Sequence, residues 1–339
     1  MSRDNSKLIN LFCHIGTPLP KYLVQNLKST ANRFPNQHFL LLTDQDTGVL
    51  ANIYKNLTFS QVKSLPFKNE SFLGKGTDLR FRDGFWRYTL ERLIVILDFH
   101  ATMPNTKLLH IESDVLLMPN FPFEFFKETR QAHWPKHGNN HDAASILFSP
   151  NAKISREIKA ILLTLFHNID HPTDMKLLKM IASQLGDSFT YLPTIPQDVL
   201  PIGTSANGVF DALGWGMFLT GIDPRNNFGI TKIRDLQTYQ VGESNINGNL
   251  YSYYFTNNTL FATSERTSSF PIYNLHIHTK NLKLLGFHWE EELKSILRKH
   301  NVQRRFIYFS PGLLFSLLKQ NFQQKTLLPY LYSFRRVFK

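Results

Sequence analysis

Two short apolar segments near the start of the chain are separated by a helical segment. The strand candidates are "LINLFC", residues 8–13, and "HFLLLTD", residues 38–44, and each is a continuous apolar run. Residues 20–34, between them, place apolar side chains at helical spacing. A strand, helix, strand order predicts a parallel pair, and continuous apolar runs are typical of strands buried on both faces. We therefore predict an α/β fold with a mostly parallel central sheet flanked by helices.

The middle of the chain extends this pattern. A helix is predicted from Phe85, where "FWRYTLERLIVILDFH" carries one apolar stripe. A strand is predicted over residues 143–151, and helices over residues 154–166 and 174–186. In "IYNLHIHTKNLKLLG", residues 272–286, polar and apolar residues alternate as in a strand.

Composition limits the class of protein. With 339 residues, 42% of them hydrophobic, the chain has enough apolar material for a large globular domain. The single cysteine, Cys13, excludes an intramolecular disulfide framework and fits a reducing compartment. No secretory signal and no apolar run of membrane-spanning length is recognised, so we expect a cytoplasmic protein.

The net charge of +12 is concentrated at the C-terminus. Ten of the 38 basic residues lie after Glu292, and all 26 acidic residues lie at or before it. We therefore predict one domain over residues 1–300 and a basic, aromatic extension over residues 301–339. Interleaved apolar and basic side chains favour an anionic membrane surface, where each Lys or Arg adds about 1 kcal/mol. Packing back onto the domain ranks second and nucleic acid third, so no nucleic-acid partner is expected.

The segment "LLHIESDVLLM", Leu108 to Met118, places two carboxylates inside an apolar run. If the strand is regular, Glu112 and Asp114 share one face; if it ends there, one acts from the strand and the other from the turn. The carboxyl ends of parallel strands are where open α/β sheets bind ligands. Two neighbouring carboxylates repel unless a cation neutralises them, and Mg²⁺ or Mn²⁺ suits oxygen ligands. The alternative is a cap or salt bridge at a strand end.

The order of these segments resembles that of the GT-A fold glycosyltransferases, which use nucleotide-sugar donors. In that superfamily a helix carrying an arginine precedes an apolar strand that ends in D-x-D, and "FWRYTLERLIVIL" and "HIESDV" are similar to these two elements. The resemblance covers roughly residues 8–285 and implies a Rossmann-like, mostly parallel sheet. It also implies a sugar transferase, of hexosyltransferase type, that needs Mn²⁺ or Mg²⁺.

The resemblance assigns residues to the metal and the donor. Asp114 corresponds to the metal ligand, and Glu112, in place of the first aspartate, to a ligand of the ribose or of a metal-bound water. A histidine on a late strand completes the metal shell in similar enzymes, for which His276 and His278 are candidates. Lys280 would contact phosphate. The alternative for the two histidines is ordinary polarity on a strand.

The turns after the first two strands could hold the nucleotide. Gly16 permits a close backbone approach, Thr17 can hydrogen-bond, and Asp44 ends the second strand. Plain turn chemistry is the alternative for all three. Arg87 lies just inside its helix, where the guanidinium could pair with diphosphate oxygens or form a structural salt bridge.

A carboxylate base for the acceptor hydroxyl has two candidates. Asp211, in "GVFDALGWG", precedes a predicted helix and could equally be its N-cap, and Asp142 precedes a strand. The sequence does not distinguish retention from inversion, and it does not identify the sugar, the nucleobase, the acceptor or the oligomeric state.

Two other functions are compatible with the same residues. A metal-dependent nuclease or phosphodiesterase also uses clustered carboxylates and a basic surface, although "HIESDV" offers no lysine. A non-catalytic binding protein on a degenerate scaffold would keep the fold without turnover. A glycan or glycolipid acceptor, the latter membrane-linked, is the partner expected of the leading hypothesis.

Overall fold

A computed structural model describes residues 6–50, 54–62, 85–138, 141–169, 172–198, 207–221, 251–265 and 267–309. The strands are β1 (Lys7–His14), β2 (Phe39–Thr43), β3 (Leu57–Gln61), β4 (Thr106–Ile111), β5 (Val115–Leu117), β6 (Ile146–Ser149), β7 (Ser252–Thr256), β8 (Thr259–Ser264), β9 (Thr267–Ile272) and β10 (Asn274–His276). The helices are α1 (Lys21–Arg33), α2 (Phe85–Ala101), α3 (Phe123–Glu128), α4 (Ala152–Asn168), α5 (Asp174–Leu185), α6 (Gly214–Thr220), α7 (Leu282–Leu285) and α8 (Trp289–Phe309).

The central sheet has five strands in the order β3-β2-β1-β4-β6. The pairs β1–β2, β1–β4 and β2–β3 are parallel, and only β6 runs antiparallel, against β4. Each parallel connection carries the chain across the sheet, as the strand, helix, strand pattern requires. The predicted α/β fold with a mostly parallel sheet is confirmed.

Side chains that alternate along the strands separate two apolar layers. Phe12 and Leu109 lie in the layer that includes α1 and α3, whereas Leu11 and Leu108 pack with α2 on the other side. Helices α4 and α5 then cover the outer side of α2. Because both faces are covered there, the central strands β1, β2 and β4 are largely apolar, whereas the edge strand β3 is polar and partly exposed.

The segment predicted as one strand is two strands joined by a turn. Strand β4 ends at Ile111 and β5 begins at Val115, and β5 pairs with β10 in a separate two-stranded antiparallel sheet. The amide of Val115 donates to the carbonyl of Glu112 at 3.1 Å, which closes the turn and breaks the β4 ladder. The regular-strand alternative is therefore wrong. Glu112 directly follows the end of β4, and Asp114 lies in the turn before β5.

The C-terminal part of the described chain builds a second layer. Strands β7, β8 and β9 form an antiparallel sheet whose inner face includes Tyr253, Leu260 and Phe270. These side chains pack with α6 and α8, notably with Trp215. Helix α8 continues across residue 300, where the predicted domain boundary lies, and residues 310–339 of the predicted extension lie outside the described residues. Among the described helices, none has the length and apolarity to cross a bilayer.

Candidate metal centre

Two carboxylates and one imidazole converge at the carboxyl end of β4. Each of Glu112, Asp114 and His276 offers a ligand atom, and these atoms all lie within 4.8 Å of one another. The pairing of β5 with β10 brings them together, because His276 lies opposite Val115 and the amide of Ile277 donates to the carbonyl of Asp114. Residues 162 positions apart in sequence thus share one site.

The imidazole of His276 is held from behind. Its Nδ1 lies 3.0 Å from the carbonyl oxygen of Ala212, so Nδ1 carries a proton and donates to that carbonyl. Its Nε2 lies 3.1 Å from Oδ2 of Asp114 and 3.7 Å from Oε2 of Glu112. A backbone carbonyl behind a ligating histidine is the arrangement that orients an imidazole toward a metal.

Two cationic side chains neutralise the carboxylates. Arg92 forms an ion pair with Glu112, and Lys280 forms one with Asp114. Burial raises the pKa of Asp114, but the charges of His276 and Lys280 outweigh it and hold that pKa well below its usual range. Burial lowers the pKa of Arg92, but Glu112 and then Asp174 outweigh it and raise the pKa. The site is therefore a set of paired charges, as burial requires.

The same balance acts on the imidazole. Burial lowers the pKa of His276, but the Asp114 carboxylate outweighs it and raises the pKa to about 9. A divalent cation held by Nε2 would have to replace the proton on that nitrogen. The affinity of the site for the cation should therefore fall as the pH falls.

The triad fits a divalent cation in its donor chemistry. It offers carboxylate oxygens from Glu112 and Asp114 and one imidazole nitrogen from His276. Mg²⁺ and Mn²⁺ accept carboxylate oxygens together with phosphate oxygens and water, and imidazole suits the transition metals. Lys280 contacts Oδ2 of Asp114, so it competes with a cation for that oxygen. The long side chain of Lys280, 23% exposed, can move away.

The two predicted bases are both fully buried. The carboxylate of Asp211 accepts hydrogen bonds from the backbone amides of Trp215, Gly216 and His276 at 2.7–3.0 Å. It therefore caps the start of α6 and ties that helix to β10. Burial raises the pKa of Asp211 to about 6.

Asp142 lies in a different polar cluster. Its Oδ2 accepts hydrogen bonds from Nε1 of Trp134 at 3.1 Å and from the hydroxyl of Tyr191 at 2.9 Å. Lys179 lies 4.0 Å from its Oδ1. Burial raises the pKa of this carboxylate. Neither aspartate reaches the surface in this conformation, and the geometry does not assign either of them a substrate.

The predicted nucleotide turns meet at the carboxyl end of the sheet. The amide of Gly16 donates to both carboxylate oxygens of Asp44, at 3.0 and 3.1 Å. Thr17 Oγ1 lies 3.2 Å from Nε2 of His14. Gly16 has φ +82°, and a Cβ there would lie 2.1 Å from the ring of Tyr88. The turn thus needs glycine on two grounds, its backbone conformation and its contact with α2.

The remaining candidates divide between the site and its surroundings. Lys280 contacts Asp114, and a positive φ of 54° turns the backbone at that residue. His278 follows the end of β10, and its ring centroid lies 6.1 Å from that of His276. Arg87 donates from Nε to Glu91 at 3.0 Å, which is the structural salt bridge weighed as its alternative.

Two residues at the centre were not singled out from the sequence. Arg92, rather than Arg87, is the arginine of α2 that meets the E-x-D turn. Asp174 is buried close to Arg92, and burial raises its pKa to about 6. Among the described residues, its Oδ1 has no hydrogen-bond partner. Arg92 flanks the apolar stripe of α2, which could have identified it; Asp174 has the sequence signature of an ordinary helix start.

Comparisons with known proteins give structural likeness only. The sequence matches no family profile and no curated protein. The galactosyltransferase LgtC, solved with donor and acceptor sugar analogs, is 14% identical over 55% of this chain and 73% of its own, with a TM-score of 0.39. The glycosyltransferase GlyE of Streptococcus pneumoniae TIGR4 is 17% identical over 56% of this chain and 45% of its own, with a TM-score of 0.36. The bifunctional glycosyltransferase WbbM is 10% identical over 70% of this chain and 44% of its own, with a TM-score of 0.37.

Proposed function

We propose that the protein is a metal-dependent glycosyltransferase, of hexosyltransferase type, that moves a sugar from a UDP- or GDP-sugar to a hydroxyl acceptor. The observation that carries the proposal is the convergence of Glu112, Asp114 and His276 at the carboxyl end of an open α/β sheet. In such sheets this edge binds ligands, and a carboxylate-rich divalent site is suited to a diphosphate.

The residues of the triad and their counter-cations would act on the leaving diphosphate. Asp114, His276 and Glu112 would hold Mn²⁺ or Mg²⁺. When bound, the ion supplies positive charge to the diphosphate oxygens as their negative charge develops. Lys280, released from Asp114, places a second positive charge near the same oxygens. Arg92 holds the Glu112 side chain in place through their ion pair.

The turns at the ends of β1 and β2 would bind the nucleoside. Gly16 brings the backbone close, Thr17 offers a hydroxyl, and Asp44 offers carboxylate oxygens next to the Gly16 amide. Arg87, 23% exposed, could turn from Glu91 toward the diphosphate.

Asp142 and Asp211 remain the candidate bases, and their burial favours a positioning role. Asp211 accepts the amide of His276 and therefore fixes the metal ligand's backbone. Asp142 orders the Trp134 and Tyr191 side chains. If they act only in this way, the acceptor proton leaves through another group, and the stereochemistry stays open.

The basic extension would hold the enzyme at an anionic membrane that carries a glycolipid acceptor. Support comes from composition alone, since seven basic residues and no acidic residue lie within residues 304–339. Replacing Arg335, Arg336 and Lys339 with serine should reduce co-sedimentation with phosphatidylserine vesicles. Unchanged sedimentation would remove the membrane from the proposal and leave the catalytic part intact.

Donor hydrolysis tests the catalytic proposal. UDP- and GDP-sugars are incubated with the protein and Mn²⁺ or Mg²⁺, and free nucleotide is measured. We expect turnover with at least one donor, and Asp114→Asn should lower it by about a hundredfold or more. Mn²⁺ binding by calorimetry should weaken in the same variant. The control is Asp98→Asn, which removes an exposed carboxylate paired with Lys159.

Each alternative function has its own outcome. Cleavage of nucleic acid with Mn²⁺ and no release of nucleotide from any donor would favour the nuclease. Binding of Mn²⁺ and UDP without turnover of any donor would favour a binding protein. Turnover that Asp114→Asn leaves unaltered would contradict the site assignment.

A further inference from the structure

A cleft of about 450 Å³ lies at the other end of β10 from the metal triad. Its volume is within the range of small-molecule sites, roughly 300–1,000 Å³. Its lining includes Asn120, Phe121, Phe123, Glu124, Asn207 and Tyr273. Tyr273 precedes β10 and His276 ends it, so the cleft and the triad lie about 10 Å apart along the strand.

The polar groups of the cleft are mainly amides. The Oδ1 of Asn120 is buried and has no hydrogen-bond partner among the described residues. The hydroxyl of Tyr273 donates to Oδ1 of Asn207 at 2.9 Å and accepts from the backbone amide of Asn207 at 3.0 Å. These two bonds fix the Asn207 side chain. The one carboxylate, Glu124, is exposed and paired with Lys127 at 2.6 Å. The cleft therefore presents neutral polar side chains, of which Asn207 and Tyr273 are held in place by their mutual hydrogen bonds.

Aromatic rings supply the apolar part. Phe121 and Phe123 pack edge to face with ring centroids 4.9 Å apart, which makes this wall rigid. Tyr273, distant from these two residues in sequence, brings a third ring to the same cleft. The lining therefore combines flat apolar faces with a few fixed hydrogen-bonding groups.

The outer face of the three-stranded sheet β7-β8-β9, called the small sheet below, continues this surface. A Cβ on Gly208, the residue after Asn207, would lie 2.6 Å from Pro271 and 3.0 Å from Tyr273, so Gly208 touches both. Across the strands, Pro271 lies opposite Phe261, and Phe261 lies opposite Tyr254. The rings of Tyr254 and Phe261 stack at 5.2 Å, and Tyr254 is 39% exposed.

The three strands of this sheet contain no charged residue. Their sequences, "SYYFT", "TLFATS" and "TSSFPI", hold eight serine and threonine residues. The protein has a net charge of +12, but these strands contribute none of it. A surface without positive charge does not match a phosphate, a nucleotide or an anionic membrane. It matches a neutral ligand with both hydroxyl groups and apolar C–H faces.

We infer that this surface, from the cleft of Asn120 and Tyr273 to Tyr254 on the small sheet, is a binding site for a neutral glycan chain, separate from the metal centre. One sugar unit occupies the cleft, against the Asn120 and Asn207 side chains and the rings of Phe121 and Tyr273. Further units follow the row from Pro271 to Tyr254. The inference does not depend on turnover at the triad.

Saturation-transfer NMR tests it with neutral oligomers of glucose, galactose and N-acetylglucosamine. We expect transfer to at least one oligomer, and Asn120→Ala and Tyr254→Ala should each weaken its binding about tenfold, the effect of one lost hydrogen bond or stacking contact. Phe287→Ala is the matched control, because it removes another exposed aromatic side chain, 53% exposed, outside the cleft lining.

Further measurements separate this site from the triad. Asp114→Asn, or addition of UDP with Mn²⁺, should leave glycan binding unchanged, so the two proposals can fail independently. Three results would overturn the inference: no transfer to any oligomer, binding that Asn120→Ala and Tyr254→Ala both leave intact, or displacement by UDP with Mn²⁺. Dimerisation that Tyr254→Ala abolishes would assign the surface to a second copy and overturn it as well.

Discussion

The two ends of strand β10 bury polar groups in opposite ways. At its carboxyl end, His276 lies among two carboxylates and two cations, and each charge has a counter-charge within the site. At its amino end, Tyr273 lies among amides and aromatic rings, with one paired carboxylate at the rim. Buried charges depend on one another, whereas neutral groups are nearly independent. Single substitutions should therefore cost far more at the first end than at the second.

The largest effect is expected for Arg92→Met. It leaves Glu112 without its ion pair and Asp174 without its nearest cation, in a buried site. Removing one partner of a buried pair costs about 3–5 kcal/mol. Urea unfolding measures the free energy of unfolding. Arg298→Met, which changes an exposed arginine, should cost less than about 0.5 kcal/mol. Equal losses would show that burial does not distinguish the two positions.

The next effect concerns the turn after β1. Gly16→Ala places a methyl group 2.1 Å from Tyr88 at a φ of +82°, and we expect a loss of about 1–3 kcal/mol in the free energy of unfolding. Gly48→Ala serves as control, since the nearest atom there is 3.4 Å away. A Gly16→Ala protein as stable as the control would contradict the described turn.

Acid pH should weaken the interior away from the paired charges. Burial lowers the pKa of His133 to about 4, and its ring bonds Thr129 and Thr190 as a neutral imidazole. The unfolded chain takes up a proton near pH 6.5, so stability is full above that pH and falls as pH drops toward 4. The loss should reach about 3 kcal/mol. Urea unfolding at a series of pH values should show a smaller loss in His133→Gln, and an identical loss would assign the titration elsewhere.

The smallest effect is expected at the neutral end. Tyr254→Ala removes an exposed ring from the edge strand of the small sheet. The free energy of unfolding, measured by thermal denaturation, should change by less than about 1 kcal/mol. Trp215→Ala, in the core beneath the same sheet, should cost about 3–5 kcal/mol. A large loss at Tyr254 would mean that its ring supports the fold, and the comparison between the two ends would fail.

The central sheet was predictable because its strands and helices follow simple periodicity. Strands β1 and β2 and helices α1 and α2 lie where the pattern places them. The small sheet was not predicted, although its first hairpin has a signal: Asn257 and Asn258 both have positive φ, as a two-residue hairpin turn requires. Its strands mix hydroxyl and apolar residues, and the local pattern is weak.

The site was predictable in its acids and only partly in its cations. Glu112, Asp114 and His276 are marked by their position at strand ends, which sequence shows. Which arginine, Arg87 or Arg92, meets Glu112 depends on how α2 is rotated about its axis. The sequence pattern of the helix does not fix that rotation. Asp174 reaches the site only through the packing of α4 and α5 against α2, a long-range contact.

Only three residues connect β4 to β5, and these strands belong to different sheets. An extra residue in this connector would shift one of the two candidate metal-ligating carboxylates relative to the other, and no longer loop is present to absorb it. Evolution and protein engineering alike should find both the length of this connector and its two carboxylates fixed, whereas Ser113 between them is freer to change. Proteins related to this chain should therefore keep three residues between these two strands, even where their loops differ in length.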